Sequence, residues 1–217
     1  MRRGPFTGLR YGDELLDTSG DLVAKLVGAY EAELHASLET WLGPGPRTVV
    51  NVGAGEGYYA VGLAVARADV QVLAFDIDER ARWLCTEMAG RNGVTDRVRI
   101  AAACTLDSLR ALPGDAVAAM FDCEGCEAAL VRPDLIEPMR TWPLLIELHD
   151  FIDPTISARV LERTAATHEA TIVPAQPRAV AAYPELGFLS ASDAALALSE
   201  RRPAGMRWAL LMPRSTA

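Results

Sequence analysis

A short apolar run that leads into a glycine-rich turn is the feature that most constrains the fold of this chain. The run extends from Thr48 to Val52 and is mostly β-branched. The turn after it carries Gly53, Gly55 and Gly57. Glycine accepts positive φ and lets a ligand approach the backbone, and a helix that starts behind such a turn presents unpaired N–H groups. The sequence therefore predicts a strand–turn–helix unit with a ligand site at the turn.

Further strand candidates recur at regular intervals and alternate with helical stretches. Helices are predicted at 59–68 and 79–92, among others. Strands that alternate with helices form βαβ units around a parallel sheet. The seven predicted strands are 48–52, 70–75, 97–103, 116–121, 144–148, 169–173 and 208–212.

The N-terminal part of the chain predicts a helical lead-in to this sheet. An apolar residue recurs every fourth position from Leu22 to Leu42, which indicates one long helix. Asp21 is placed to cap its start, and the run Gly43–Pro46 ends it. We expect a lead-in or cover at 1–46 and a single catalytic domain at 47–217. The long connection 175–206 is expected to form part of a cover on the substrate side.

Composition excludes several classes of function. The 217 residues carry a net charge of −8, whereas nucleic-acid binders show a basic excess or stripe. Adjacent basic residues occur only at Arg2-Arg3 and Arg201-Arg202, so neither a nucleic acid nor a membrane surface is the expected partner. No apolar stretch approaches the roughly 18 residues that span a bilayer. A small-molecule substrate is expected, and a homodimer is left open.

The N-terminus and the cysteines predict a cytoplasmic protein. No apolar run follows the basic start of the chain, so no secretory signal is expected. The spacing of the cysteines is not that of a disulfide scaffold, and we expect reduced thiols. The four cysteines are Cys85, Cys104, Cys123 and Cys126.

The residues around the turn predict an adenosine-bearing cofactor. Asp76 closes the second strand about 20 residues after the glycines, where an acid binds ribose hydroxyls. A dinucleotide fingerprint would read G-x-G-x-x-G/A, but here the spacing is Gly53-x-Gly55-x-Gly57 and a tyrosine, Tyr58, follows. This spacing disfavours a nicotinamide-dependent oxidoreductase, which remains an alternative function.

The turn resembles motif I of the class I S-adenosylmethionine-dependent methyltransferases. Asn51 stands where that family more often has an acid, Asp76 matches the ribose-binding acid of motif II, and Cys104 falls where the family contacts adenine. The resemblance implies an α/β, Rossmann-like fold with a seven-stranded, mostly parallel sheet and an antiparallel terminal strand. It implies S-adenosylmethionine as cofactor, bound by Asn51, Gly53, Gly55, Gly57, Tyr58, Asp76, Cys104 and Asp122.

A second motif refines the resemblance. Residues 122–127 read Asp-Cys-Glu-Gly-Cys-Glu and resemble the D-x-E-G-x-E signature of FkbM-type methyltransferases. That branch implies O-methylation of a sugar or natural-product hydroxyl. A repurposed protein that binds the cofactor without catalysis is a further alternative, since fold alone does not establish an activity.

Two strand ends supply the candidate catalytic residues. Asp122 follows the fourth strand and is expected to contact the cofactor or the acceptor. A turn cap is the alternative, but the ligand-binding edge of the sheet favours the functional role. His149 follows the fifth strand and could act as general base, with Glu147 or Asp150 orienting it, or could merely end the strand. Asp122, Glu147, His149 and Asp150 could instead bind a divalent metal. This use is not favoured, because the Asp-Asn pair of metal-dependent O-methyltransferases is absent, and no metal ligand is assigned.

Overall fold

The apolar runs of the sequence pair into one central sheet. The structure is a computed structural model that describes residues 1–12, 21–112 and 116–214. Its strands are β1 Thr48–Val52, β2 Gln71–Phe75, β3 Val98–Ala101, β4 Val117–Phe121, β5 Leu144–Glu147, β6 His168–Pro174 and β7 Arg207–Pro213. Their order is β3-β2-β1-β4-β5-β7-β6. Strands β1 to β5 are parallel, and β7 runs antiparallel to both β5 and β6. The predicted fold is confirmed.

Helices cover both faces of this sheet. They are α1 Leu22–Val27, α2 His35–Leu42, α3 Tyr58–Ala66, α4 Glu79–Asn92, α5 Leu106–Arg110, α6 Glu127–Leu130, α7 Pro133–Met139, α8 Ile156–Thr164 and α9 Ala191–Leu198. Local sequence explains α4 well. The Asp78 side chain accepts the N–H of Arg80 at its start, and Gly93 ends it in the left-handed conformation. In the described part of the chain, no helix is both long and apolar enough to cross a membrane.

Two apolar clusters pack against opposite faces of the sheet. Successive strand residues point to alternate faces, so Val49 joins the cluster beneath α3 and α4, whereas Val50 joins the one beneath α7 and α8. Both residues are fully buried. Burial of this kind stabilises the fold by roughly 25 cal/mol per Å² of apolar surface. It also holds the carboxyl ends of β1, β2 and β4 rigidly side by side.

The prediction of one long lead-in helix is wrong. Helix α1 ends at Val27, Gly28 takes a left-handed φ of 73°, and α2 begins only at His35. Between them, Glu31 also adopts a positive φ of 46°. Asp21 stands at the N-cap, but its side chain makes no capping hydrogen bond. The break follows from tertiary contacts, because it buries the charged groups of Lys25 and Glu31 against partners far along the chain.

The connection 175–206 is folded and packs against the lead-in. It contains two 3₁₀ turns, Val180–Ala182 and Pro184–Leu186, and helix α9. Its apolar residues form a third cluster with α1, whose members are Ala24, Val27, Ala29, Tyr183, Leu186, Ala194 and Leu198. Residues 13–20 of the lead-in lie outside the described residues. A substrate cover built from these two segments stays a prediction.

Candidate active site

A cavity of about 530 Å³ opens at the carboxyl ends of β1, β2 and β4. This is the edge at which parallel sheets bind ligands, and the volume suits a nucleoside-sized molecule. Two lead-in residues, Lys25 and Tyr30, close one side of it. Its lining from the sheet and the adjoining loops includes Gly53, Gly55, Glu56, Tyr58, Asp76, Ile77, Ala103, Cys104, Asp122, Cys123, Glu124 and Cys126.

The glycine turn is shaped by close packing on one side and by open space on the other. A Cβ atom at Gly53 would lie 1.4 Å from the carbonyl oxygen of Asp122, so only glycine fits between the ends of β1 and β4. A Cβ atom at Gly55 would meet nothing within 4 Å, because that residue faces the cavity. Gly57 stands behind the cavity at the N-cap of α3, with a φ of 100°. The turn therefore presents bare backbone to a ligand.

Asp76 binds the same turn. One carboxylate oxygen accepts the N–H of Gly55 at 2.8 Å, and the other accepts the N–H of Asp78 at 2.9 Å. The half-buried carboxylate lies on the cavity wall, beside a side chain, Ile77, that is 89% exposed. A carboxylate with an apolar neighbour at the end of β2 offers acceptors for ribose hydroxyls and a flat contact for a base.

The structure brings most of the predicted cofactor residues together. Gly53, Gly55, Tyr58, Asp76, Cys104 and Asp122 all line the cavity. Asn51 does not line it. This residue is buried in β1, and within the described residues neither atom of its amide group makes a hydrogen bond. Tyr58 and Tyr59 both line the cavity and both pack in the core.

Lys25 is a cavity residue that sequence reasoning missed. Its ammonium group is buried, lies 2.7 Å from the Glu56 carboxylate and stands 4.7 Å from the centre of the Tyr30 ring. It is the lysine that lines the cavity, together with Asp76 and Asp122. A positive charge there suits an anionic group of a ligand. Nothing in the helical periodicity of α1 indicates this inward orientation.

A buried histidine lies at the centre of a cluster of carboxylates beside the cavity. The His149 side chain is 2% exposed, and its Nδ1 atom lies 2.7 Å from Oε1 of Glu127. Its Nε2 atom lies 3.6 Å from Oδ1 of Asp122 and 3.5 Å from Oε2 of Glu124. Oε2 of Glu147 is 3.9 Å from the same nitrogen. The predicted catalytic residues Asp122 and His149 are thus neighbours.

The residue that orients His149 differs from the two that the sequence indicated. Asp150 turns away, because its carboxylate accepts the N–H of Ser157 at 2.9 Å and pairs with Arg207 at 2.8 Å. Glu127 takes the orienting position instead. It reaches His149 from the start of α6, where it also accepts the N–H of Cys123. The sequence motif 122–127 contains this glutamate, but its spacing alone does not show which histidine it meets.

The electrostatics of the cluster are dominated by an excess of carboxylates. Burial lowers the pKa of His149, but the neighbouring carboxylates, first among them Glu127, outweigh that effect and raise it above its ordinary value. Burial, together with the charge of Asp122, raises the pKa of Glu147 well above its usual range. Burial likewise raises the pKa of Glu31 to about 7, although Arg202 pairs with both Glu31 and Glu147. The pocket is therefore suited to a cation.

The expectation of four reduced thiols is wrong for one pair. Cys123 and Cys126 are joined by a disulfide, whereas Cys85 and Cys104 are free. The turn between the paired cysteines places their Cα atoms 5.4 Å apart, within the range that a disulfide spans. Both cysteines line the cavity.

Comparison of the sequence with known proteins finds a methyltransferase relative. No protein-family model matches the chain. The ribosomal protein L11 methyltransferase of Syntrophotalea carbinolica is 37% identical over 103 residues, which make up 48% of this chain and 32% of that protein. The chain thus matches about a third of the length of this curated relative.

Solved structures show the fold. An rRNA methylase from Streptococcus thermophilus aligns with a TM-score of 0.58 at 14% identity, over 83% of this chain and 96% of that chain. An O-methyltransferase from Bacillus cereus in complex with S-adenosylhomocysteine aligns with a TM-score of 0.54 at 14% identity, over 95% and 84% of the two chains. The chain has the Rossmann-like fold of class I methyltransferases.

Proposed function

We propose that this protein is an S-adenosylmethionine-dependent methyltransferase that acts on a hydroxyl group of a small molecule. The observation that carries the proposal is the cavity formed by the glycine turn, Asp76 and Asp122 at the carboxyl edge of the sheet. The methyltransferase relative and the methyltransferase structures support the same activity.

The residues of the cavity fit this cofactor. The Asp76 carboxylate would accept the ribose hydroxyls, and the bare backbone at Gly55 would lie against the nucleoside. Cys104 and Ile77 would flank the adenine. The buried ammonium of Lys25 would meet the carboxylate of the methionine part. S-adenosylmethionine supplies an electrophilic methyl group on a positively charged sulfur.

The acceptor side is formed by Asp122 and His149. A hydroxyl acceptor must lose its proton as the new bond forms, so a base or a metal is needed beside it. Much of the remaining acceleration would come from holding donor and acceptor in line. The convergence of Asp122, Glu124 and Glu127 on His149 gives the D-x-E-G-x-E motif a structural role. It supports the FkbM-like branch and therefore a hydroxyl acceptor.

A ribosomal protein is the second candidate acceptor. The relative's name indicates it, and the carboxylates of Asp122, Glu124 and Glu147 would suit a cationic side chain. The two candidate acceptors can be distinguished by measuring transfer of a labelled methyl group to ribosomal protein and, in parallel, to a panel of hydroxylated small molecules. Labelling of the protein alone would refute the small-molecule proposal.

Calorimetry with S-adenosylhomocysteine and NAD tests the cofactor. We expect binding of the first and none of the second. Replacing Asp76 with alanine should weaken binding by about 1–3 kcal/mol, because ribose hydroxyls would lose their acceptor. Asp134→Ala, at an exposed residue of α7, is the matched control and should leave affinity unchanged. Binding of NAD without S-adenosylhomocysteine would overturn the proposed function.

A further inference from the structure

We infer that Asp122, Glu124 and His149 bind one divalent cation of the Mn²⁺ type at the edge of the cofactor cavity. The three residues come from the loop after β4 and from the end of β5. One ligand atom from each, two carboxylate oxygens and one imidazole nitrogen, lie within 4.8 Å of one another. The sequence alone did not favour a metal here, because the Asp-Asn pair of metal-dependent O-methyltransferases is absent, and it did not include Glu124 among the candidate ligands.

The distances between the ligand atoms of these three residues fit coordination of one shared ion better than direct hydrogen bonds between the side chains. Nε2 of His149 lies 3.5 and 3.6 Å from the two carboxylate oxygens, which is too far for a good hydrogen bond. Ligands bound at about 2.1 Å lie roughly 3.0–3.4 Å apart when they are neighbours around one ion. The two Nε2–oxygen distances exceed this range by only a few tenths of an ångström, and all three ligand atoms lie within 4.8 Å of one another.

The burial and orientation of the histidine provide a second observation. The imidazole is 2% exposed and directs Nε2 at the two carboxylates. In the described part of the chain, the carboxylate oxygens of Asp122 and Glu124 are 3.6 and 3.5 Å from that nitrogen, too far for good hydrogen bonds. Its other nitrogen, Nδ1, lies 2.7 Å from the fully buried Glu127. A carboxylate behind the distal nitrogen is the usual support of a metal-binding histidine, because it fixes the ring and its tautomer.

The negative charges around the histidine also favour binding of a cation. Asp122, Glu124 and Glu127 all lie within 4 Å of it, and in the described ranges no lysine or arginine pairs with any of the three. The neighbouring Glu147 differs, because Arg202 pairs with it. One imidazolium would leave two of the three negative charges uncompensated, whereas a divalent ion bound to the neutral histidine leaves only one.

The ligand set selects the class of ion and of substrate. Two carboxylates with one imidazole suit Mn²⁺, since carboxylates favour hard ions and imidazole favours later transition metals. Three protein ligands leave coordination positions open. The use of these positions rests on the proposed function: an oxygen of the acceptor would bind there, which selects hydroxyl compounds with a second oxygen donor nearby. His149 is then a ligand and not the general base, because one lone pair cannot serve both roles.

Binding of Mn²⁺ to the metal-stripped full-length protein tests the inference without any activity assay. Electron paramagnetic resonance of free Mn²⁺ should show one site per chain. Glu124→Gln should weaken binding at least tenfold, and this side chain is 77% exposed, so misfolding would not explain the loss. His149→Ala should weaken it about a hundredfold or more, and Glu127→Gln by about 10–100-fold through the supporting shell. Glu137→Gln, an exposed residue of α7, should bind as the wild type does.

Two results would overturn the inference. One is the lack of saturable binding at one ion per chain, and the other is equal affinity in the wild type, Glu124→Gln and His149→Ala. Calorimetry with S-adenosylhomocysteine on the same preparation separates this failure from that of the proposed function. Cofactor binding without Mn²⁺ binding refutes only the metal site, whereas Mn²⁺ binding without cofactor binding refutes only the methyltransferase.

Discussion

At the scale of single residues, the ends of β1 and β4 meet at one glycine. Gly53 has a φ of 82° and lies directly against the carbonyl group of Asp122. Because Asp122 in turn donates its N–H to Val52 at 2.9 Å, the two strand ends cannot separate without loss of that bond. The same contact places the Asp122 side chain at the cavity.

Replacing Gly53 with alanine should therefore damage both stability and the cavity. The added methyl group overlaps the Asp122 carbonyl, and the backbone takes a conformation that alanine resists, so we expect a loss of roughly 3 kcal/mol or more in the free energy of unfolding. Gly93→Ala is the control. Gly93 has a φ of 67° but nothing within 4 Å of a Cβ atom, and its replacement should cost about 1 kcal/mol. Chemical denaturation measures both, and equal losses would show that the close contact is unimportant.

The histidine of the carboxylate cluster should make stability depend on pH. The neighbouring carboxylates raise the pKa of His149 in the folded protein, so folding strengthens proton binding. Its contribution is complete below the ordinary pKa of about 6.5 and is lost as pH rises through the higher folded value. In chelator, the stability difference between the wild type and His149→Gln should therefore shrink from about pH 6 to about pH 9.

A second histidine supplies a control of opposite sign. Burial lowers the pKa of His168, so its contribution is present above the ordinary pKa and is lost as pH falls through the lower folded value. The difference between the wild type and His168→Gln should therefore grow as pH rises from about 5 to about 7 and stay constant above that. Parallel trends in the two variants would contradict the assignment for His149.

Sequence reasoning reached those site residues whose signal is local. Gly53 and Asp76 follow strands that can be recognised from their own composition, and chain order then places them at one edge. Lys25 and Glu127 have no such signal. Lys25 can be buried because its ammonium group pairs with the Glu56 carboxylate. Glu127 orients a side chain only because it contacts His149, which lies 22 positions further along the chain.

At the scale of elements, the same distinction separates the sheet from the lead-in. Each strand is specified by its own apolar residues, which is why all seven were predicted within two residues of their ends. The break between α1 and α2 is not specified by the apolar pattern of the local sequence. It depends on Glu31, whose carboxylate meets the Tyr59 hydroxyl and the Arg202 guanidinium, and the latter is 171 positions away in sequence.

Arg202 therefore links three separate parts of the chain, and its removal should strongly reduce the stability of the fold. Its side chain is 16% exposed and pairs with Glu31 of the lead-in, Glu147 of β5 and Glu200 of the connection. In Arg202→Ala, Glu31 and Glu147 would remain buried without this counter-charge, while Glu200 would still pair with Arg178, so we expect a loss of about 3–5 kcal/mol in the free energy of unfolding. Arg201→Ala, at the exposed neighbour, should change it by no more than about 0.5 kcal/mol. Similar effects in the two variants would exclude the buried ion pairs as the cause.

At the scale of the whole molecule, the lead-in and the connection 175–206 form one unit on the sheet. Their apolar residues share the third cluster, and Arg178 of the connection donates to the carbonyl oxygen of Ala29 at 2.7 Å. Lys25 of the same unit lines the cavity. Because segments that pack together tend to open together, access to the cavity should be controlled by this unit and not by the connection alone.

A core substitution in α9 should consequently loosen α1, more than 160 positions earlier in the chain. Leu198 is buried in the third cluster, and Leu198→Ala should remove about 2–5 kcal/mol from its packing. Hydrogen exchange followed by mass spectrometry should then show faster exchange in both α9 and α1, with β1 and β4 unchanged. Leu196 lies in the same helix but is 62% exposed, so Leu196→Ala should change neither. Faster exchange confined to α9 would mean that the connection opens by itself, as a separate lid over a fixed lead-in.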